Sequence, residues 1–183
     1  SSTTHGYFQF RLSNKLTGSN TSNDIGKSSI SMSTDTFKLK DNDLWNVYLT
    51  RMTSSFTETT QSYRLYIGLQ NKDKIPYFNA VSMSISNSTA VTNFRGTGSL
   101  SSAVSGNLVF GETLTGSMAE IRVWNGALSA SKIKQHTLNP ASIVGNKVNS
   151  IDNELIYRYK LNENSKSGST GRIKDANPNN IKD

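Results

Sequence analysis

Gly106-Asn-Leu-Val-Phe-Gly-Glu-Thr-Leu-Thr-Gly-Ser-Met-Ala-Glu-Ile-Arg-Val-Trp-Asn-Gly-Ala-Leu-Ser-Ala-Ser-Lys-Ile-Lys-Gln-His-Thr-Leu138 is the densest passage of structural signal in the chain. Leu108, Val109 and Phe110 form a short apolar run closed by Gly111, the pattern of a buried strand ending in a turn. From Met118 to Trp124, Ala119, Ile121 and Val123 alternate with Glu120, Arg122 and Trp124. A period of two predicts a strand with one apolar face and one polar-aromatic face. Asn125-Gly126 is a turn signal, and Ser129 is placed to cap a short helix over 129–137 carrying Ile133 and His136.

Working outward, Leu44-Trp-Asn-Val-Tyr-Leu-Thr-Arg51 reads as a second alternating strand, and Tyr63 to Gly68 as a third. With Gly116, Ala119-Glu120-Ile121, Trp124-Asn125, Ala127-Leu128-Ser129 and Ile133, these stretches resemble the concanavalin-A-like lectin/glucanase superfamily in its laminin-G-like branch. The resemblance spans roughly residues 7–138. It implies an all-β jelly-roll sandwich of two antiparallel sheets with one short helix near 129–137. Trp45 to Arg51, Leu161-Asn162-Glu163-Asn164 and Asp175 to Asn180 are also similar to laminin-G-like segments of virion structural proteins from tailed marine phages.

The remainder keeps the strand-turn rhythm of an all-β chain. Tyr7 to Leu12 alternates, a polar loop follows to Ser28, and short strands are expected around Ile30–Met32 and Phe37–Leu39. Asn71 to Lys74 reads as a turn, and Val81, Met83 and Ile85 as another strand. The expected core comprises Phe8, Phe10, Leu12, Val47, Leu49, Leu65, Ile67, Val81, Met83, Leu108, Phe110, Ile121 and Val123. After Pro140 the character changes. Residues 1–140 form the expected sandwich and 141–154 a connecting segment. In 155–183 a strand with Leu155, Tyr157, Tyr159 and Leu161 on one face either completes the sandwich or begins a following repeat.

At 183 residues the chain suits one well-buried domain, and its 34% apolar content suits wet sheet faces and polar loops. The net charge of +7 is distributed singly from Arg11 to Lys182, with no basic block, so a nucleic-acid partner is not expected. No apolar run of about eighteen residues exists, so membrane insertion by a helix is not expected either. The absence of cysteine is compatible with a bacterial or viral product assembled in a reducing cytoplasm.

Glycan hydrolysis on this fold needs two same-face carboxylates, but the alternation here offers Glu120 followed by Arg122, an arrangement that predicts a same-face ion pair. The histidines, His5 and His136, share no metal-ligand spacing. Asp41, Asn42 and Asp43 form a candidate calcium cluster, with Asp152-Asn153-Glu154 and Asp175 with Asn177 as further oxygen-rich groups. Trp124 and Tyr48 are candidate carbohydrate platforms, since each falls opposite the apolar face of its strand. The expectation is a non-catalytic structural or adhesion module on a virion or extracellular surface, partnered by other subunits or repeats of the same assembly. A carbohydrate-binding lectin domain is the alternative, with a glycan-cleaving enzyme the most remote.

Overall fold

The computed structural model describes residues 4–13, 29–39, 42–52, 60–86, 116–146, 154–161 and 175–177. Among them the chain is mostly strand, in several antiparallel sheets, with one short helix. It divides into two compact units, Ser1–Ser101 and Ser102–Asp183. The strand expected at Leu108–Phe110 lies outside the described residues, as do Asp41, Asp152, Asn153 and most of the polar loop before Ser29.

The first unit holds β1 (Thr4–Gly6), β2 (Gln9–Ser13), β3 (Ser29–Ser33), β4 (Phe37–Leu39), β5 (Leu44–Arg51), β6 (Thr60–Asn71) and β7 (Lys74–Ser86). β1 pairs with β4 and β2 with β3. Between Gly6↔Phe37 and Gln9↔Ser33 the register slips by one, so residues 34–36 oppose residues 7–8. Such an irregularity bends the strand and re-aims side chains. Thr34 stabilises it from a buried position: its backbone N–H donates to the Phe8 carbonyl at 2.9 Å, and its hydroxyl accepts from the Phe8 N–H at 3.0 Å. Phe8 thereby meets Phe37 at 5.8 Å and Trp45 at 5.6 Å between ring centroids, while Phe37 reaches Trp45 at 4.7 Å and Tyr77 at 5.2 Å.

β5, β6 and β7 form a three-stranded meander with β6 central. The register Trp45↔Leu69, Val47↔Ile67, Leu49↔Leu65, continued by Leu65↔Val81 and Tyr63↔Met83, puts the expected apolar set on one face. Leu65 and Ile67 are buried, with Ile67 fully enclosed. Val47 and Leu49, expected in the core, are instead 49% and 48% exposed. They lie on β5, which among the described residues pairs with β6 alone. Accordingly, Ile67→Ala should cost about 2–5 kcal/mol and Val47→Ala well under half of that. Equal losses in urea unfolding would show that β5 is as enclosed as β6.

The opposite face is not wholly wet. Tyr66 and Gly68 are buried there, with Phe78 at 6.0 Å from Tyr66 and the Arg64 guanidinium 5.9 Å from the Tyr66 ring centre. β7 also starts earlier than expected, running through Pro76. A register shift between Leu69 and Asn71 accommodates that proline, which has no N–H to give a regular ladder.

The second unit holds β8 (Ile121–Trp124), α1 (Ala130–Leu138) and β9 (Leu155–Tyr159), with β8 and β9 antiparallel. β8 begins three residues later than the alternation predicts, because Glu120 takes a left-handed φ of 55° that a continuing strand excludes. Leu161 likewise adopts φ 57°, beyond the end of β9. A bulge matters more. Val123 pairs with Tyr157 but Trp124 with Leu155, so Ile156 is the extra residue. A one-residue slip exchanges faces. Leu155 therefore joins the side of Trp124 and is buried, while Tyr157 stays with Val123 and is 40% exposed. The expectation that both share one face is corrected by that bulge. Ile121 and Val123, expected in the core, are half-buried on the Tyr157 side.

Candidate functional site

The candidate site is the polar cluster joining β8, α1, the 141–146 segment and β9. Its organising element is the helix, and the local sequence explains why the helix starts where it does. Ser129 has the extended backbone of a cap, and its hydroxyl accepts from the Lys132 N–H at 3.3 Å. Ile133, His136 and Thr137 fall on the enclosed side. Thr137 donates its hydroxyl to the Ile133 carbonyl at 3.0 Å, so this buried polar group is satisfied within the helix.

His136 has no exposed surface. Its Nε2 lies 2.8 Å from the Val144 carbonyl, which can only accept, so Nε2 carries a proton. The ring packs on Trp124 at 5.4 Å. Burial lowers its pKa to about 4 from 6.5; the Val144 hydrogen bond opposes this, and the charges of Arg122 and Lys132 add to it.

Around this pair the 141–146 segment is held by side chains. Arg122 donates to the Ser142 carbonyl. Asn146 acts as a clamp: its Oδ1 accepts from the Ser129 N–H at 2.8 Å, and its Nδ2 donates to the Ala127 carbonyl at 2.9 Å. Its own N–H donates to Glu154 at 2.6 Å. The Glu154 carboxylate lies over Gly145, so a side chain at 145 would have to displace it.

The expected ion pair between Glu120 and Arg122 does not form. Glu120 instead receives two hydrogen bonds from Arg158, Nε to Oε2 at 3.0 Å and a terminal nitrogen to Oε1 at 2.9 Å. The turn at Glu120 moves its carboxylate off the strand face that Arg122 occupies, and β9 brings Arg158 to meet it in a bidentate pair. Arg158 is in turn tied to Asp175, whose Oδ1 accepts from the Arg158 N–H at 2.9 Å and the Asn177 N–H at 3.0 Å. Asn177, almost fully buried, donates Nδ2 to the Leu155 and Ile156 carbonyls, both at 2.9 Å. Burial, the Asp175 carboxylate and the Tyr157 phenol together raise the Tyr159 pKa above the ordinary phenol value.

The two candidate platforms lie in separate units. Trp124 is half-buried against His136, and its indole nitrogen is enclosed without a hydrogen-bond partner among the described residues. Tyr48 is half-buried on β5 opposite Tyr66. Of the candidate calcium cluster, Asn42 is exposed with φ 66° and Asp43 is half-buried. These two described residues supply a single carboxylate, too few hard oxygens for a cage by themselves. Among the described residues no group of three or more His, Cys, Asp or Glu is placed to hold a metal ion. Asp175 and Asn177, another oxygen-rich pair, act on backbone groups. Spacing does not mark Arg158 or Asn146, since their partners lie far away in the sequence.

Among the described residues no helix is long and apolar enough to cross a membrane. Comparison with family models, with curated proteins and with solved structures finds no match.

Proposed function

We propose that the chain is a non-catalytic structural or adhesion module of a larger surface or virion assembly, built on a laminin-G-like jelly-roll sandwich and partnered by other subunits or repeats. The observation that carries this reading is the state of Glu120. A retaining or inverting glycosidase keeps one carboxyl protonatable and a second free to attack or to activate water. Here both oxygens of Glu120 are engaged by Arg158, and the next residue on the alternation is Arg122. Such a pair fixes β8 to β9; it does not leave a carboxylate poised for chemistry. Turnover of β-glucans should be undetectable, and Glu120→Gln should leave that unchanged while lowering stability by about 1–3 kcal/mol, because Arg158 loses its anionic partner. A real glycosidase activity that vanishes in Glu120→Gln would overturn the reading.

One observation favours the carbohydrate-binding reading as an alternative. Tyr157 and Tyr159 are nearly parallel, 15° apart with centres separated by 6.1 Å, and Tyr157 is the more exposed. On that reading the platform is Tyr157 on β9 rather than Trp124 or Tyr48. A glycan array with and without calcium separates the two: binding lost in Tyr157→Ala supports a lectin, and no binding on either array supports the structural module.

A further inference from the structure

The 125–129 turn between β8 and α1 is anchored at nearly every residue but one. The Asn125 backbone N–H donates to the Glu154 carbonyl at 2.7 Å, and Asn146 holds the Ala127 carbonyl and the Ser129 N–H. Asn125 and Gly126 are both exposed, and neither the Asn125 side chain nor the Gly126 N–H has a hydrogen-bond partner among the described residues. No atom lies within 4 Å of where a Cβ at Gly126 would stand. We infer that Asn125 is a site of spontaneous deamidation, at which the Gly126 amide nitrogen closes on the Asn125 side chain and the turn passes to a mixture of aspartate and isoaspartate.

The chemistry needs only water. The Gly126 nitrogen attacks the Asn125 side-chain carbonyl carbon, forming a C–N bond. The bond to the side-chain NH2 breaks, and ammonia leaves with the proton lost from the Gly126 nitrogen. A five-membered succinimide remains. Water opens it at either carbonyl, returning aspartate or an isoaspartate whose main chain runs through the former side chain. Glycine is what permits this: with no Cβ it imposes the least barrier to rotating its nitrogen toward the side chain.

The other described asparagines lack one requirement or another; Asn42 and Asn71 are followed by Asp43 and Lys72, whose side chains hinder the approach that glycine allows. Asn139 and Asn177 precede prolines, which have no N–H to attack with. Asn46 and Asn79 are followed by strand residues of β5 and β7. Asn146 has its side chain engaged twice. Asn125-Gly126 is the one Asn-Gly pair in the sequence.

The consequence is local. Isoaspartate lengthens the main chain immediately after Trp124, where one hydrogen bond ties the end of β8 to the start of β9. It also adds a negative charge, a change of the kind that alters local electrostatics. The test is to hold the full chain in mildly alkaline buffer and follow it by peptide-mapped mass spectrometry and isoaspartate-specific methyl transfer, beside a free peptide spanning 121–129. The amide-to-acid mass gain should appear first at Asn125, with isoaspartate as part of the product. In Gly126→Ala it should slow several-fold; that variant fits without strain, since Gly126 lies outside the left-handed region and has open space around it. Full conversion of the peptide while Asn125 in the folded chain keeps its amide would overturn the inference. So would an unchanged rate in Gly126→Ala.

Discussion

Removing residues 150–183 should unfold the second unit in a single step. β8 is four residues long, and β9 is its partner; an isolated strand of that length has no independent stability. The deletion also takes away buried Leu155, the Arg158 that holds Glu120, and the Asp175–Asn177 turn that holds β9. Leu155 alone is worth about 2–5 kcal/mol against the roughly 5–15 kcal/mol that keeps a whole domain folded. Emission from Trp124 in a Trp45→Phe background isolates this unit, since these are the two tryptophans of the chain. A truncated chain that keeps native Trp124 emission and near-ultraviolet dichroism would mean that the tail serves a neighbouring subunit instead.

Acid should weaken the same unit through His136. Its folded pKa of about 4 lies below the ordinary 6.5, so the unfolded chain takes up the proton first as pH falls. The stability due to neutral His136 is complete above the unfolded value, declines as pH falls from 6.5 toward 4, and is fully lost below. The full shift bounds this contribution from above at about 3 kcal/mol, and solvent screening reduces it. Urea unfolding at neutral and at acid pH, for the native chain and for His136→Gln, reads the effect as the difference between the two slopes. Identical slopes would show that the imidazole accepts its proton in place, beside Arg122 and Lys132, without cost.

Local signals in the sequence are realised where a short stretch contains its own cause. Ser129 caps the helix within one residue of the expected start, because its hydroxyl needs only an N–H three residues on. The Asn71–Lys74 turn forms where its residues predict it, with Lys72 in the left-handed region at φ 56°. The alternation of β5 and β6 survives because their pairing is unbroken over Leu44–Arg51. What could not be read is what depends on a distant partner. Nothing about Glu120 names Arg158, which reaches it only because β8 and β9 pair. Nothing about Ile156 announces that it will be the extra residue of a bulge, yet that slip decides which side Leu155 takes. The 49% exposure of Val47 depends on which neighbours cover its strand, and alternation does not encode that.

Asn177 gives both amide hydrogens to two successive carbonyls, those of Leu155 and Ile156, at the point where β9 is out of step with β8. One side chain thus stands in for the ladder that the bulge interrupts. Aspartate has the same outline but offers an oxygen to those oxygens, so exchanging one nitrogen for oxygen would turn attraction into repulsion at both contacts. Glutamine keeps the chemistry but carries one methylene too many for an enclosed position. The tail's tolerance of substitution is therefore expected to be sharply uneven, with position 177 admitting a single letter.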